Sequence, residues 1–472
     1  MHLHWHRRDL RIADNRGFEA RPEDGTLGLF VFDPAVLAHA APPRTAFLLD
    51  AVHSLREAYR ERDSDLLIAR GDPVELVPAV AREYGCGTVS WCADYSGLAR
   101  RRDDDVRETL ASADVDSRAV HDAVLHEPGS ITTNSGDPYK VFTYFSKKWH
   151  KRPKDAPVDP PGADDLVAVD SGDDEWTLAS VPSLADLDID EPEPTVPPAG
   201  TGPARERLAS FCEDSIYRYD ERRDYPAAEC TSRLSAALKF GTLGIREVYA
   251  VTDEAHASAP TEAKRDSVVE FQDQLAWREF YAQVLWDRPD VVRENYKSYE
   301  RPIEWREDPE AVRAWKDGKT GYPIVDAGMR QLRETAYMHN RVRMIVASFL
   351  TKDLLVDWRV GYDWFRRKLV DHDTANDNGG WQWAASTGTD AQPYFRIFNP
   401  MTQGERYDPD AIYIKRYVSE LDGVPASTIH AWNELDDGTR KMHAPDYPAP
   451  IVDHATRRER AIELFERARG GK

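Results

Sequence analysis

Tryptophan, amide and carboxylate side chains crowd into one stretch, Asp371-His-Asp-Thr-Ala-Asn-Asp-Asn-Gly-Gly-Trp381-Gln-Trp383, which runs on through Arg396 to Asn399. Indoles offer redox-active aromatic surface, and carboxylates and amides offer charge and hydrogen bonds. Gly379 and Gly380 let the backbone take conformations closed to other residues and let a flat ligand come near. With so few aliphatics the stretch does not read as an ordinary core helix or strand, and a loop-rich site is expected. An aromatic core corner with its turn has the same composition, because Trp is more often core than cofactor wall. Composition alone leaves both readings open. A second group, Thr231, Ser232 and Ser235, precedes and enters a helix expected to begin near Leu234. Hydroxyls and free backbone N–H groups converge at such an end, where the helix dipole also favours an anion. A Thr-Ser pair is equally a common helix cap.

These residues need a scaffold larger than one core. The chain has 472 residues and 41% hydrophobic content, so two domains are expected. From residue 1 to about 151 short apolar runs alternate with amphipathic stretches. Strands are expected at Leu3 to Trp5, Leu27 to Phe32, Asp65 to Ala69, Thr88 to Cys92 and Ser117 to His121, with helices at 44–62, 73–85 and 98–112. That alternation implies an α/β domain with a doubly wound, Rossmann-like parallel sheet. No Gly-x-Gly-x-x-Gly follows the first strand, so the sheet is not a standard dinucleotide site. Residues 152–203 are rich in Pro, Asp and Glu and read as a long acidic interdomain linker. From 204 to 472 apolar residues such as Val268, Leu275, Ala276 and Phe280 recur at helical spacing, which implies an all-α domain.

Net charge is −21, from 83 acidic and 62 basic side chains. A hydrated carboxylate surface of this kind suits a host cytoplasm of high ionic strength. Nucleic acid is not excluded, because Arg223, Arg341, Arg343, Arg366, Arg396 and other basic residues concentrate in the C-terminal half, while acidic runs such as Asp103-Asp-Asp105 and Asp173-Asp-Glu175 lie outside it. For any single Arg a solvated helix face is the simpler reading. Four scattered cysteines without ligand spacing read as reduced thiols, with no metal expected, and no apolar targeting or membrane segment is seen. A soluble, cytoplasmic monomer is expected, with no membrane or obligate protein partner.

Several ordered blocks resemble the photolyase/cryptochrome family in its class I bacterial and archaeal form, and a haloarchaeal origin fits the charge. The blocks are Trp5-His-Arg-Arg-Asp-Leu-Arg11, Glu229-Cys-Thr-Ser-Arg-Leu-Ser235, Trp277-Arg-Glu-Phe280, Tyr322-Pro-Ile-Val-Asp326, Met338-His-Asn-Arg-Val-Arg343 and the 371–399 stretch. The resemblance covers nearly the whole chain. It implies an N-terminal antenna-chromophore domain and a C-terminal FAD-binding domain. It assigns FAD contacts to Tyr219, Thr231, Ser232, Leu234, Ser235, Arg278, Asn340, Arg343, Asp371, Asp373 and Asp377. It also assigns an electron relay to Trp305, Trp358 and Trp381; with 13 Trp in the chain, only the block match selects these three.

UV-damaged DNA is the implied partner. Trp277, Met344 and Trp383, beside Asn340 and Arg341, would wall a cavity for a flipped pyrimidine pair, while Arg223, Arg341 and Arg396 would grip flanking phosphates. Two positions depart from the family pattern. Gln274 replaces a Glu that contacts the pyrimidine edges, and Asp377 replaces the Asn facing flavin N5. Both lean toward a cryptochrome-type blue-light photoreceptor. Asn340, Met344 and the retained Trp277 and Trp383 lean toward FADH⁻-dependent splitting of cyclobutane pyrimidine dimers, which is the expected activity. Ala99 stands near the place where folate-using relatives carry a carboxylate, so a deazaflavin (8-HDF) antenna is expected over folate, and an empty site is the third option.

Overall fold

The computed structural model describes residues 1–20, 22–169 and 176–471, so the acidic run Asp173–Glu175 lies outside the described residues. The chain folds as two compact units. One comprises Met1–Pro192, Val196–Asp220 and Ser232–Pro289, and the other Glu193–Thr195, Glu221–Thr231 and Asp290–Lys472. In the first unit the helices Thr201–Glu213, Ile245–Ser258 and Glu262–Asp287 bury apolar residues with Phe142, Phe145 and Trp149.

In the first unit, β1 (His2–His6), β2 (Thr26–Phe32), β3 (Leu66–Arg70), β4 (Thr88–Cys92) and β5 (Asp116–Val120) form a parallel sheet ordered β3-β2-β1-β4-β5. Each lies within two residues of the expected strand. The connecting helices Pro42–Arg60, Pro73–Glu83 and Gly97–Ser112 match as well. Asp72 caps the second, its side chain accepting from the Val74 N–H with Pro73 in the first turn. β1 and β2 are buried throughout, as a sheet covered on both faces requires.

The proline-rich segment is pinned to this sheet. The Val167 N–H donates to the Thr26 carbonyl at 3.1 Å, and the Leu178 N–H donates to Ile68 on β3 at 2.7 Å. Arg56, paired with Asp65 at 2.8 Å, also donates to the Ala179 carbonyl. A buried ionic network ties the β1 exit to the Ile245–Ser258 helix. Arg246 meets Asp14 and Asp122 at 2.6 Å each, and Arg11 meets Asp122 at 2.6 Å. Burial alone would raise the Asp122 carboxyl, but the two guanidinium groups outweigh it and hold it below the usual carboxylate range.

His4, Asp9 and Cys92, at the same end of the sheet, place one potential ligand atom each within 4.8 Å of one another, which sequence spacing did not reveal. The two ring nitrogens of His4 pair with Ser90 and Asp9, and Asn15 also donates to Asp9.

Among the described residues the second unit contains helices and no strands. Its core gathers Trp315, Trp358, Trp381, Trp432, Tyr413 and Phe349. The Asn340–Ser348 helix continues into a π turn at Phe349–Asp353, a local widening that recurs near functional sites.

Candidate functional site

The expected loop-rich reading of 371–399 is overturned in its first half. Residues Thr374–Ala384 form an α-helix. Asp373 caps it, accepting from the Ala375 and Asn376 N–H groups at 3.1 Å. Asn378 and Gln382 anchor its buried side to the Val291 carbonyl at 2.8 Å each. Composition misled because these amides hydrogen-bond to backbone outside the helix and so take positions that aliphatics usually fill. Gly379 and Gly380 have ordinary helical backbone and do not use glycine's special conformations. Residues 371–373 and 385–399 are irregular.

Asp373, Asp377 and Gly380 share one face of this helix at i, i+4 and i+7, and Trp381 follows Asp377 at i+4. A Cβ built on Gly380 would meet nothing within 4 Å, so the face ends in open space. Arg343, on the facing Asn340–Ser348 helix, donates to Asp371 at 2.7 and 3.0 Å and stands 3.6 Å from Asp377. Burial opposes its charge, but Asp371 and Asp377 more than compensate and hold the guanidinium above its ordinary range. His372 lies 2.6 Å from the other Asp377 oxygen, with both side chains buried. Sequence reasoning named Asp371, Asp373 and Asp377 and missed His372, whose position between two assigned carboxylates was the available signal. A guanidinium, flanking carboxylates, a bare glycine face and an adjoining indole suit a flat, redox-active, charge-bearing ligand such as a flavin.

Trp381 and Trp358 are buried in one aromatic cluster, and Trp305 packs on its margin. Trp358 donates its indole N–H to Asn295 at 3.0 Å, whereas the buried Trp381 N–H has no hydrogen-bond partner. Trp381 packs edge-on to Trp315 and Phe365, with centroids 6.1 and 5.0 Å away.

Of the expected lesion contacts in the second unit, Asn340 and Met344 adjoin across one helical turn, with Nδ2 3.9 Å from Sδ. Arg341 is committed to Asp224 at 2.7 Å and lies over Tyr407. Trp383 packs at 6.4 Å from Phe398, and Arg396 is exposed beside exposed Phe395. Thr231 is partly exposed, as is Arg223.

In the first unit, the Glu262–Asp287 helix carries Gln274, Trp277 and Arg278, all partly exposed. Gln274 turns its amide N–H toward Glu270 of the same helix, at 3.2 Å to the backbone oxygen. Trp277 stacks on Phe142 at 3.7 Å with an interplanar angle of 10°, so at most one indole face is left for another partner. Arg278 donates to the Ala123 and Leu238 carbonyls at 2.6 and 3.1 Å. The helix near Leu234 is Ser235–Phe240, with Ser232 and Ser235 at least partly exposed and Leu234 buried. Tyr219 is buried against Phe211 and Phe271.

Residues 271–467 match the family described as FAD binding domain of DNA photolyase, and residues 2–162 match DNA photolyase. The chain is 60% identical over 482 residues, spanning 100% of both chains, to the deoxyribodipyrimidine photo-lyase of Halobacterium salinarum. Among solved structures it is similar to the cryptochrome of Synechocystis, with a TM-score of 0.88 at 26% identity over 98% of each chain. It is also similar to the archaeal photolyase of Sulfolobus tokodaii, described with two FAD molecules, with a TM-score of 0.81 at 32% identity over 99% of each chain. The chain therefore belongs to the photolyase/cryptochrome family, with a parallel-sheet domain ahead of a helical FAD-binding domain. No described helix is long and apolar enough to cross a membrane.

Proposed function

We propose that the protein is a light-driven deoxyribodipyrimidine photo-lyase that splits cyclobutane pyrimidine dimers in UV-damaged DNA, working as a cytoplasmic monomer. The observation that carries the reading is the Thr374–Ala384 helix, where a face with buried charge that ends in open space at Gly380 adjoins an indole embedded in the aromatic cluster that also holds Trp358 and Trp305. The full-length likeness to the Halobacterium enzyme supports it.

Reduced FAD, when bound, supplies the photoexcited electron. Arg343 with Asp371 would set charge beside it, and Asn340, Tyr219, Thr231, Ser232, Leu234, Ser235, Arg278, Asp373 and Asp377 would hold it in the roles that the family resemblance gives them. Trp305, Trp358 and Trp381 would refill it with electrons. In the roles that the family resemblance gives them, Trp277, Trp383, Met344 and Gln274 would receive the lesion, and exposed Arg396 beside Phe395 would meet the flanking strand. Arg341 would have to exchange Asp224 for a phosphate. Ala99, buried in the first turn of its helix, offers no carboxylate, in keeping with 8-HDF in place of folate or with no antenna.

Purified protein carrying reduced FAD, mixed with dimer-containing oligonucleotide in molar salt, is expected to restore pyrimidine absorbance under blue light and not in darkness. Light-dependent flavin chemistry without restoration would instead establish the photoreceptor reading. Trp383→Ala is expected to weaken lesion binding by about 1–3 kcal/mol. If the Gln274 amide limits repair, Gln274→Glu raises the yield.

A further inference from the structure

The carboxylate at position 377 creates a charge problem that His372 answers. Arg343 faces two carboxylates, Asp371 through Nη2 and Asp377 through Nη1. One positive and two negative charges leave a surplus of negative charge, and the proposed occupant is itself an anion. Like charges in a partly dehydrated pocket repel strongly. His372 Nδ1 sits 2.6 Å from the Asp377 oxygen that Arg343 does not face, and an imidazolium there brings the local balance to zero.

The nearby Tyr362 phenol does not supply that charge. The Tyr362 ring is 5.5 Å from His372, and burial raises its phenol well above the ordinary range, so it stays neutral. Arg366 and Asp363, on the Tyr362 helix, carry opposite charges. Asp373 is another carboxylate and is engaged as the helix cap.

We propose that His372 and Asp377 hold one proton between them, and that this proton allows a carboxylate to occupy position 377 without opposing reduced flavin. The inference rests on the flavin reading above and makes His372 a positioning and charge-balancing residue.

Equilibration of the full-length, FAD-loaded protein with a reference dye reads the ratio of reduced to oxidised flavin without any repair assay. His372→Gln keeps a hydrogen-bond donor for Asp377 and removes the charge. It is expected to lower that ratio about tenfold at fixed ambient potential, about 30 mV for a two-electron couple. Adding Asp377→Asn removes the surplus carboxylate and is expected to restore the ratio to within about twofold. A merely structural His372 would not be rescued in this way. A His372→Gln ratio equal to that of the unaltered protein, or a drop that Asp377→Asn fails to reverse, overturns the proposal.

If His372→Gln does not fold, the unaltered protein decides. Its flavin potential is expected to fall by about 60 mV per pH unit, in place of about 30, wherever the oxidised protein has shed the shared proton and the reduced protein keeps it. A slope of about 30 mV throughout the range in which imidazole titrates overturns the proposal. A folded protein that declines FAD brings down the flavin reading itself, a failure distinct from either potential.

Discussion

At the scale of single residues, Gly361 makes room for the Trp381 indole. A Cβ on Gly361 would lie 2.0 Å from Trp381 Cη2, inside a core where Trp381 is 2% exposed. Gly361→Ala is therefore expected to cost about 1–3 kcal/mol, read as a lowered denaturant midpoint, and to shift the tryptophan emission. Trp381→Phe keeps an aromatic ring and removes the oxidisable indole. It is expected to preserve FAD binding and to abolish light-driven reduction of the bound flavin by an external thiol, followed by absorbance. Normal photoreduction in that variant would remove Trp381 from the relay. His372 was missed because a histidine between two acids has no periodicity or motif of its own, and only the folded geometry shows which acid it meets.

At the scale of elements, the strands and helices around the sheet were legible because alternation, caps and prolines all point the same way, as at Asp72 and Pro73. The Thr374–Ala384 helix was not, because its helical signal lies in tertiary anchors, Asn378 and Gln382 on the Val291 carbonyl, that no local pattern contains. Long-range ionic ties were equally hidden: Arg246 reaches Asp14 and Asp122 more than a hundred residues away, with the three side chains 1–2% exposed. Removing one partner strands buried charge, so Arg246→Ala is expected to destabilise by about 3–5 kcal/mol. Because the pair is shielded from ions, that loss should change little between low and high salt in parallel denaturation curves. A loss that vanishes in molar salt would place the network in solvent.

At the scale of the whole molecule, charge and burial set the working conditions. With a net charge of −21, stability is expected to rise as KCl increases from about 0.1 M toward about 1 M, where the screening length contracts from ~10 Å to ~3 Å. A flat denaturant midpoint across that series would remove self-repulsion as a significant factor. Acidity works in a definite direction. Burial raises the Glu279 carboxyl from 4.5 to about 7, against the opposing pull of the Leu125 and His126 N–H groups. Asp326 and Asp353 are raised by burial to about 6 in the same sense. The folded state thus holds these protons where the unfolded chain has released them. Their contribution is complete below the unfolded values and is lost as pH rises through the folded ones, about 3 kcal/mol for Glu279 alone. Glu279→Gln should flatten that part of the profile between about pH 4.5 and about pH 7. The proline-rich passage across β3 has a consequence of its own. In brine, where copies of an acidic protein no longer push one another away, a bare strand margin would invite a second molecule to extend the sheet. By strapping Leu178 onto Ile68 the chain covers that margin at one point from within, where a second molecule would otherwise pair.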